Sequence, residues 1–151
     1  MPDRMPEKIP KLIFINLPVT DLPNSVAFYE AVGATKNPNF SDDTAACMVL
    51  SDTIHVMLLT HDKFKQFTPR QIGDPKTTSQ VLISISMESR AAVDAIVEQA
   101  KGAGGAIDPS PVDEHGFMYG RSFEDPDGHL WGVMWMDPVA AANGPPDMAK
   151  A

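Results

Sequence analysis

Few side chains in this sequence can do chemistry, and they stand far apart. The chain has four histidines, at positions 55, 61, 115 and 129, and one cysteine, Cys47. Imidazoles ligate metals or carry protons, thiolates attack electrophiles, and paired carboxylates such as Asp125 and Asp127 in "FEDPDGHLWGVMW" can serve as acid, base or cation ligands. The spacing supports little of this. No helical pair of histidines four apart occurs, and a metal site built from them requires two to converge with a carboxylate such as Glu114. Asp first, Pro second and Gly fourth suit a type I turn, so Asp125 and Asp127 are expected as local backbone acceptors. Cys47 in "AACMVL" has no cationic neighbour to lower its pKa, which points to buried structure. His55 lies within a strand, where a hydrogen-bonded inner-sheet histidine is favoured over a catalytic base. His115, ahead of Gly116 in a loop, is the other candidate proton carrier. "GAGG" follows a helix instead of opening one, so it cradles no phosphate, and no G-x-S-x-G elbow is present.

The elements that must position these residues come in two similar sets. Ile13, Ile15, Leu17 and Val19 alternate with other types at strand period. "TDLPNSVAFYEAVGA" follows with Thr20 or Asp21 as N-cap, a Leu22, Val26, Tyr29 stripe and Gly33 as stop. Strand-like runs then cover 35–40, 45–50 and 54–59. The order returns after a polar stretch. "QVLISIS" alternates, Val93, Ile96, Val97 and Ala100 recur at helical spacing before a glycine-rich end, and strands are expected around 106–112, 117–124 and 130–136. A shift of 75 lays Asp52 over Asp127. The divisions expected are a proline-rich tail at 1–10, module one at 11–60, a linker at 61–78, module two at 79–137 and a tail at 138–151 without apolar periodicity. In the linker, Phe64 and Phe67 share one face of a short helix that either caps a cavity or packs on the sheet edge.

Two βαβββ units ending in a DPDG turn, with "NLPVTDLPNSVAFYEAVGA" and "GRSFEDPDGHLWGV" at corresponding places, resemble the vicinal oxygen chelate superfamily. That superfamily includes glyoxalase I, bleomycin-resistance proteins, extradiol dioxygenases and fosfomycin-resistance enzymes, and the chain looks most like bacterial lactoylglutathione lyase-like members. The resemblance implies an α+β fold in which two βαβββ modules form a curved mixed sheet around a cavity, with helices on the convex side. It also implies a cavity often completed by pairing of modules between chains, hence a homodimer.

Side-chain parity then sorts the strands. Ile13, Ile15, Leu17, Val56, Val81, Ile83, Ile85, Trp131 and Val133 should face the helices. Phe14, Asn16, His55, Met57, Gln80, Ser84, Met118, Ser122, Gly132 and Met134 should line the cavity, and Arg121 should face the helices and pair with an acid. The four places where metal-dependent relatives carry ligands fall on Phe14, Met57, Gln80 and Gly132. Only Gln80 has a donor, and Mg, Zn or Ni need several oxygen, nitrogen or thiolate ligands. No metal or other cofactor is therefore expected there. The alternative is a Ni-, Zn- or Mg-dependent lyase or isomerase of the glyoxalase type with ligands from elsewhere.

Composition agrees. A chain of 151 residues with 43% hydrophobic content suffices for one packed domain. Its formal charge of −8 argues against a nucleic-acid surface. No run of about 18 apolar residues suggests a membrane span, and the single cysteine fits a reducing, cytoplasmic setting. The expected partner is a small molecule.

Overall fold

Alternating aliphatic residues produce the strands, and capped amphipathic runs produce the helices between them. The structure is a computed structural model describing residues 9–144. Module one comprises β1 (Ile13–Val19), α1 (Leu22–Ala31), β2 (Thr35–Asn37), β3 (Ala45–Val49) and β4 (Ile54–Thr60). Module two repeats the pattern with β5 (Ile83–Ser86), α3 (Arg90–Gly102), β6 (Ala106–Ile107), β8 (Met118–Glu124) and β9 (Leu130–Met136), and a short β7 (Asp113–His115) pairs with β8. Between them lies α2 (His61–Lys65), and after them α4 (Pro138–Asn143). The segment from 138, expected as a tail, thus begins with a helix. Asp137 caps it by accepting from the Val139 amide at 2.8 Å, and Ala140 is buried. Of the tails expected at 1–10 and 138–151, residues 1–8 and 145–151 lie outside the described residues.

The sheets run β1-β4-β3-β2 and β5-β9-β8-β6, the same order twice. In each, the first strand pairs parallel with the last and the remainder are antiparallel. The expected curved surface is therefore divided into two sheets, one per module. Asp21 caps α1 by accepting from the Asn24 amide at 3.1 Å, and Ser89 caps α3 through the Ala92 amide at 3.0 Å. The run expected as a strand over 35–40 is a strand only to Asn37. Pro38 has no amide to give to the ladder, and Pro38–Phe40 form a 3-10 turn.

Both helices are packed into one core shared by the modules. Val93, Ile96, Val97 and Ala100 of α3 are buried as their spacing predicts. On α1 the buried set is Leu22, Ser25, Phe28 and Tyr29, wider than the predicted stripe because Phe28 also meets Phe123 and Tyr29 meets Trp131 of module two. Of the residues expected to face the helices, Leu17, Val56, Trp131 and Val133 are buried, and Ile15, Ile83 and Ile85 pack against them. Ile13 and Val81 are exposed, since they run past the helical cover. Gly105 is required at the junction: a Cβ there would lie 2.4 Å from the Glu124 carbonyl oxygen and 2.8 Å from the Phe28 ring. Arg121 faces α3, as predicted, and its guanidinium donates to Asp94 at 3.0 Å and Asp108 at 2.7 Å. Among the described residues, no helix is long and apolar enough to cross a membrane.

The DPDG turn joins the modules. Asp125 accepts from the amides of Asp127 and His129 at 3.0 and 2.8 Å, the local role predicted, but its other oxygen accepts from the Tyr29 hydroxyl at 2.7 Å. The Trp131 indole donates to that hydroxyl at 3.0 Å. Asp127 accepts from the amide and hydroxyl of Thr20 at 3.0 and 2.8 Å, so it serves module one and not its own turn. His129 Nε2 lies 2.7 Å from the Pro18 carbonyl oxygen.

Burial pushes the Asp125 carboxyl above the ordinary range, while the nearby His129, the Tyr29 hydroxyl and the His129 amide pull it back. A carboxyl raised in the folded state contributes stability that is full below its unfolded pKa and is lost as pH rises through its folded value. Tyr29→Phe withdraws a donor that favours the charged form and orphans the Trp131 indole. It is expected to cost about 1–3 kcal/mol at neutral pH in urea denaturation, with a deficit that shrinks as the pH is lowered and the carboxyl takes up its proton. A deficit that does not change with pH would contradict this role.

Candidate functional site

Each sheet turns one face to the shared core and leaves the other open. On module one the open face holds a cavity of about 600 Å³. Pairing across three strands builds its floor: Asn16 stands opposite Met57, Met57 opposite Cys47, and Phe14 opposite His55. Leu12, Asn37 and Phe40 complete the wall. Four predicted lining residues, Phe14, Asn16, His55 and Met57, are thus brought together. Phe40 was not predicted to line it, because its run was expected to continue as a strand; Pro38 is the signal that could have placed it on a turn.

The corresponding face of module two holds a smaller cavity of about 210 Å³. Ser84, Met118, Ser122, Gly132 and Met134 line it, as parity predicts. The Ser122 hydroxyl, however, accepts from the Ser110 amide at 3.1 Å and is buried, so it holds a loop in place. Gly132 has a local reason: a Cβ there would lie 2.7 Å from Ser84 Oγ. Within one chain the two sets of lining residues occupy different sheets. Nine of the ten residues expected to line a single cavity are therefore divided between two, one on each sheet.

Gln80 joins neither. The strand expected over 80–86 begins only at Ile83, because β9 starts at Leu130 and the ladder's first partner is Trp131. Gln80 lies instead in a cleft beside Leu17 and Pro75. Pairing register also sets the equivalence of the modules, since Asn16 opposite Met57 corresponds to Ser84 opposite Gly132.

The histidines do not converge. His55 stacks on Phe14 with ring centroids 4.6 Å apart and planes 19° apart. The hydrogen bond expected for it is missing, and Nδ1 is buried without a partner. His115 is exposed on β7, stacks on Phe117, and lines neither of these cavities. Its neighbour Glu114 is held by Arg90 at 2.7 Å. His61 opens α2, since β4 ends at Thr60, and faces a separate cleft beside the linker. His129 belongs to the turn. Cys47 is buried, and burial pushes its thiol pKa up, away from the thiolate. In the 61–75 segment, for which capping and sheet packing were both open, α2 lies against β1 and β4, Phe67 is exposed, and no residue lines either of these cavities.

The places where the resemblance puts metal ligands fit a cation poorly. Phe14 and Met57 bring hydrocarbon and a thioether, Gly132 brings no side chain, and Gln80 stands outside the strand. Taking the register equivalents instead adds the Asn16 amide and the Ser84 hydroxyl, both neutral and weak ligands. Among the described residues no group of three or more His, Cys, Asp or Glu could hold an ion.

The geometry can be set beside known proteins. A hypothetical protein from S. aureus has 25% identity, with 85% of this chain and 96% of that chain covered and a TM-score of 0.70. A glyoxalase/bleomycin resistance protein/dioxygenase family enzyme from Burkholderia phytofirmans PsJN has 18% identity, coverage of 84% and 99%, and a TM-score of 0.67. The fosfomycin resistance protein FosX from Mesorhizobium loti has 17% identity, coverage of 91% and 99%, and a TM-score of 0.60. The last two likenesses concern the fold. No curated protein matches the chain. The profile of one family matches residues 11–133, the span that holds both sheets but for the last three residues of β9. With its repeated strand order and this match, the chain belongs to the Glyoxalase/Bleomycin resistance protein/Dioxygenase superfamily.

Proposed function

We propose that this chain is a small-molecule-binding protein of the superfamily that works without a catalytic metal. The observation that carries this reading is the floor of the module-one cavity, where Asn16, Met57 and Cys47 form a neutral row across three strands. A divalent ion placed there would lose its hydration without charged replacement, whereas an organic molecule would gain apolar contact. Ligand at about a hundred times its dissociation constant should raise Tm by on the order of 5–10 °C. Met57→Glu, which puts a polar acid in place of the thioether on the floor, should abolish that shift. Metal analysis of the purified protein should find no stoichiometric Ni or Zn, and added Ni or Zn should not support turnover of a glutathione hemithioacetal. Bound metal with turnover would overturn the reading in favour of a glyoxalase-type lyase, and a silent thermal-shift panel would remove its binding half.

A second copy of this chain is proposed to cover the two cavities. Among the described residues the outer edges of β1 and β5 have no strand partner, and at or just before them stand Leu12, Ile13 and Phe14 on one side and Val81 and Leu82 on the other, all at least half exposed. Apolar residues beside an unpaired edge favour association with another edge. Sedimentation at micromolar concentration should give a dimer, and Leu82→Asp should shift it to monomer without lowering the content of secondary structure. A monomeric wild type under the same conditions would refute the pairing.

A further inference from the structure

The charge of the chain and the charge of its larger cavity disagree. The formal net charge is −8, yet none of the described residues lining the module-one cavity is Asp, Glu, Lys or Arg. The aromatic faces there are accessible, with Phe14 50% and Phe40 69% exposed. Its polar side chains are three. Asn16 donates to the Phe14 carbonyl at 3.2 Å and Asn37 accepts from the Asn39 amide at 3.0 Å, so one end of each amide is held by its own backbone. His55 is different. Neither of its ring nitrogens has a hydrogen-bond partner among the described residues, and Nδ1 is shut off from solvent under the stacked Phe14 ring.

A histidine's tautomer is set by the bond its other nitrogen makes. With no such bond, His55 can offer a donor or an acceptor to whatever enters. Nor does any hydrogen bond oppose a half-turn about Cβ–Cγ, which exchanges Nδ1 with Cδ2 and changes which edge faces the cavity. Charged ligands meet the opposite conditions. Within one copy, an ammonium would find no carboxylate among the described lining residues and a carboxylate no cation, and each would shed water against Leu12, Phe40 and Met57. A flat neutral ring would stack on Phe14 and lie against the Met57 sulfur.

We infer that the module-one cavity takes a neutral, planar aromatic molecule bearing one hydroxyl or carbonyl group, stacked on Phe14 and hydrogen-bonded to His55. This rests on the metal-free binding reading above and adds the ligand's class to it.

Three probes on one ring system test it by titration calorimetry with the full chain: 2-naphthol, 2-naphthoate and 2-naphthylmethylammonium. The neutral naphthol should bind about tenfold or more tightly than either charged analogue. Phe14→Ala should weaken naphthol binding severalfold, and His55→Phe, which keeps the ring but removes both nitrogens, should weaken it as well. Phe14 is half exposed and tolerates the change; where His55→Phe lowers Tm, His55→Gln replaces it and should retain part of the affinity. A charged analogue that binds as tightly and is equally sensitive to Phe14→Ala overturns the neutral class while the pocket stands. Naphthol binding indifferent to Phe14 and His55 overturns the site. If no probe binds up to its solubility limit, the inference fails, and if the wider thermal-shift panel is silent too, the reading beneath it fails with it.

Discussion

One buried carboxylate fixes how the halves of this protein meet. Asp125 is almost wholly out of solvent, and its two oxygens are divided between its own turn and the Tyr29 hydroxyl of the other module. A carboxylate in that position is tolerable only because every donor around it is aimed inward. The turn it shapes carries Asp127 to Thr20 and His129 to Pro18, so further polar links cross the same seam where Phe28 meets Phe123. Among the described residues no strand ladder joins the two sheets. Their mutual placement therefore depends on this turn and on the shared core.

That placement decides what the open faces can be. Because α1 and α3 each bury one side against the core face of the sheets, the other face of each sheet points away from the core, and each module offers a cavity there. The two halves have diverged. Where module one has Asn16, Met57 and Cys47 in a row, module two has Ser84, Gly132 and Ser122. The first row is larger and softer; the second is small and partly spent on structure, since Ser122 holds the Ser110 loop and Ser84 occupies the space above Gly132.

Much of this was legible in the sequence, and the failures share a cause. The α3 stripe, the parity of β4 and β9, the pairing of Arg121 and the turn role of Asp125 all follow from local periodicity or local hydrogen bonding. Strand length does not. "QVLISIS" alternates over seven residues, but only four of them have a neighbouring strand to pair with, so Gln80 lies outside the sheet. The same holds for Pro38–Phe40, where a missing amide ends the ladder, and for Tyr29 with Asp125, 96 residues apart in the chain. Helix α4 was missed for a different reason: a single buried alanine leaves no periodic pattern to detect.

The absence of acids at the strand midpoints matters more for chemistry than their absence elsewhere would. A curved sheet brings neighbouring midpoints together, so whatever side chains stand there act as one group, and a single cation placed among them would test the sum of their donors. In module one that sum is an amide, a thioether and a thiol whose pKa burial pushes up, so it stays protonated and contributes no charge. Such a row is weakly polar, polarizable and neutral, which suits a flat organic face far better than a hydrated ion. Adding one carboxylate would not restore an ion site, because a lone acid among apolar neighbours takes up a proton instead of holding a metal. Reversal would require several coordinated changes along the row. In module two one of them would also have to displace Ser84 to make room beside Gly132.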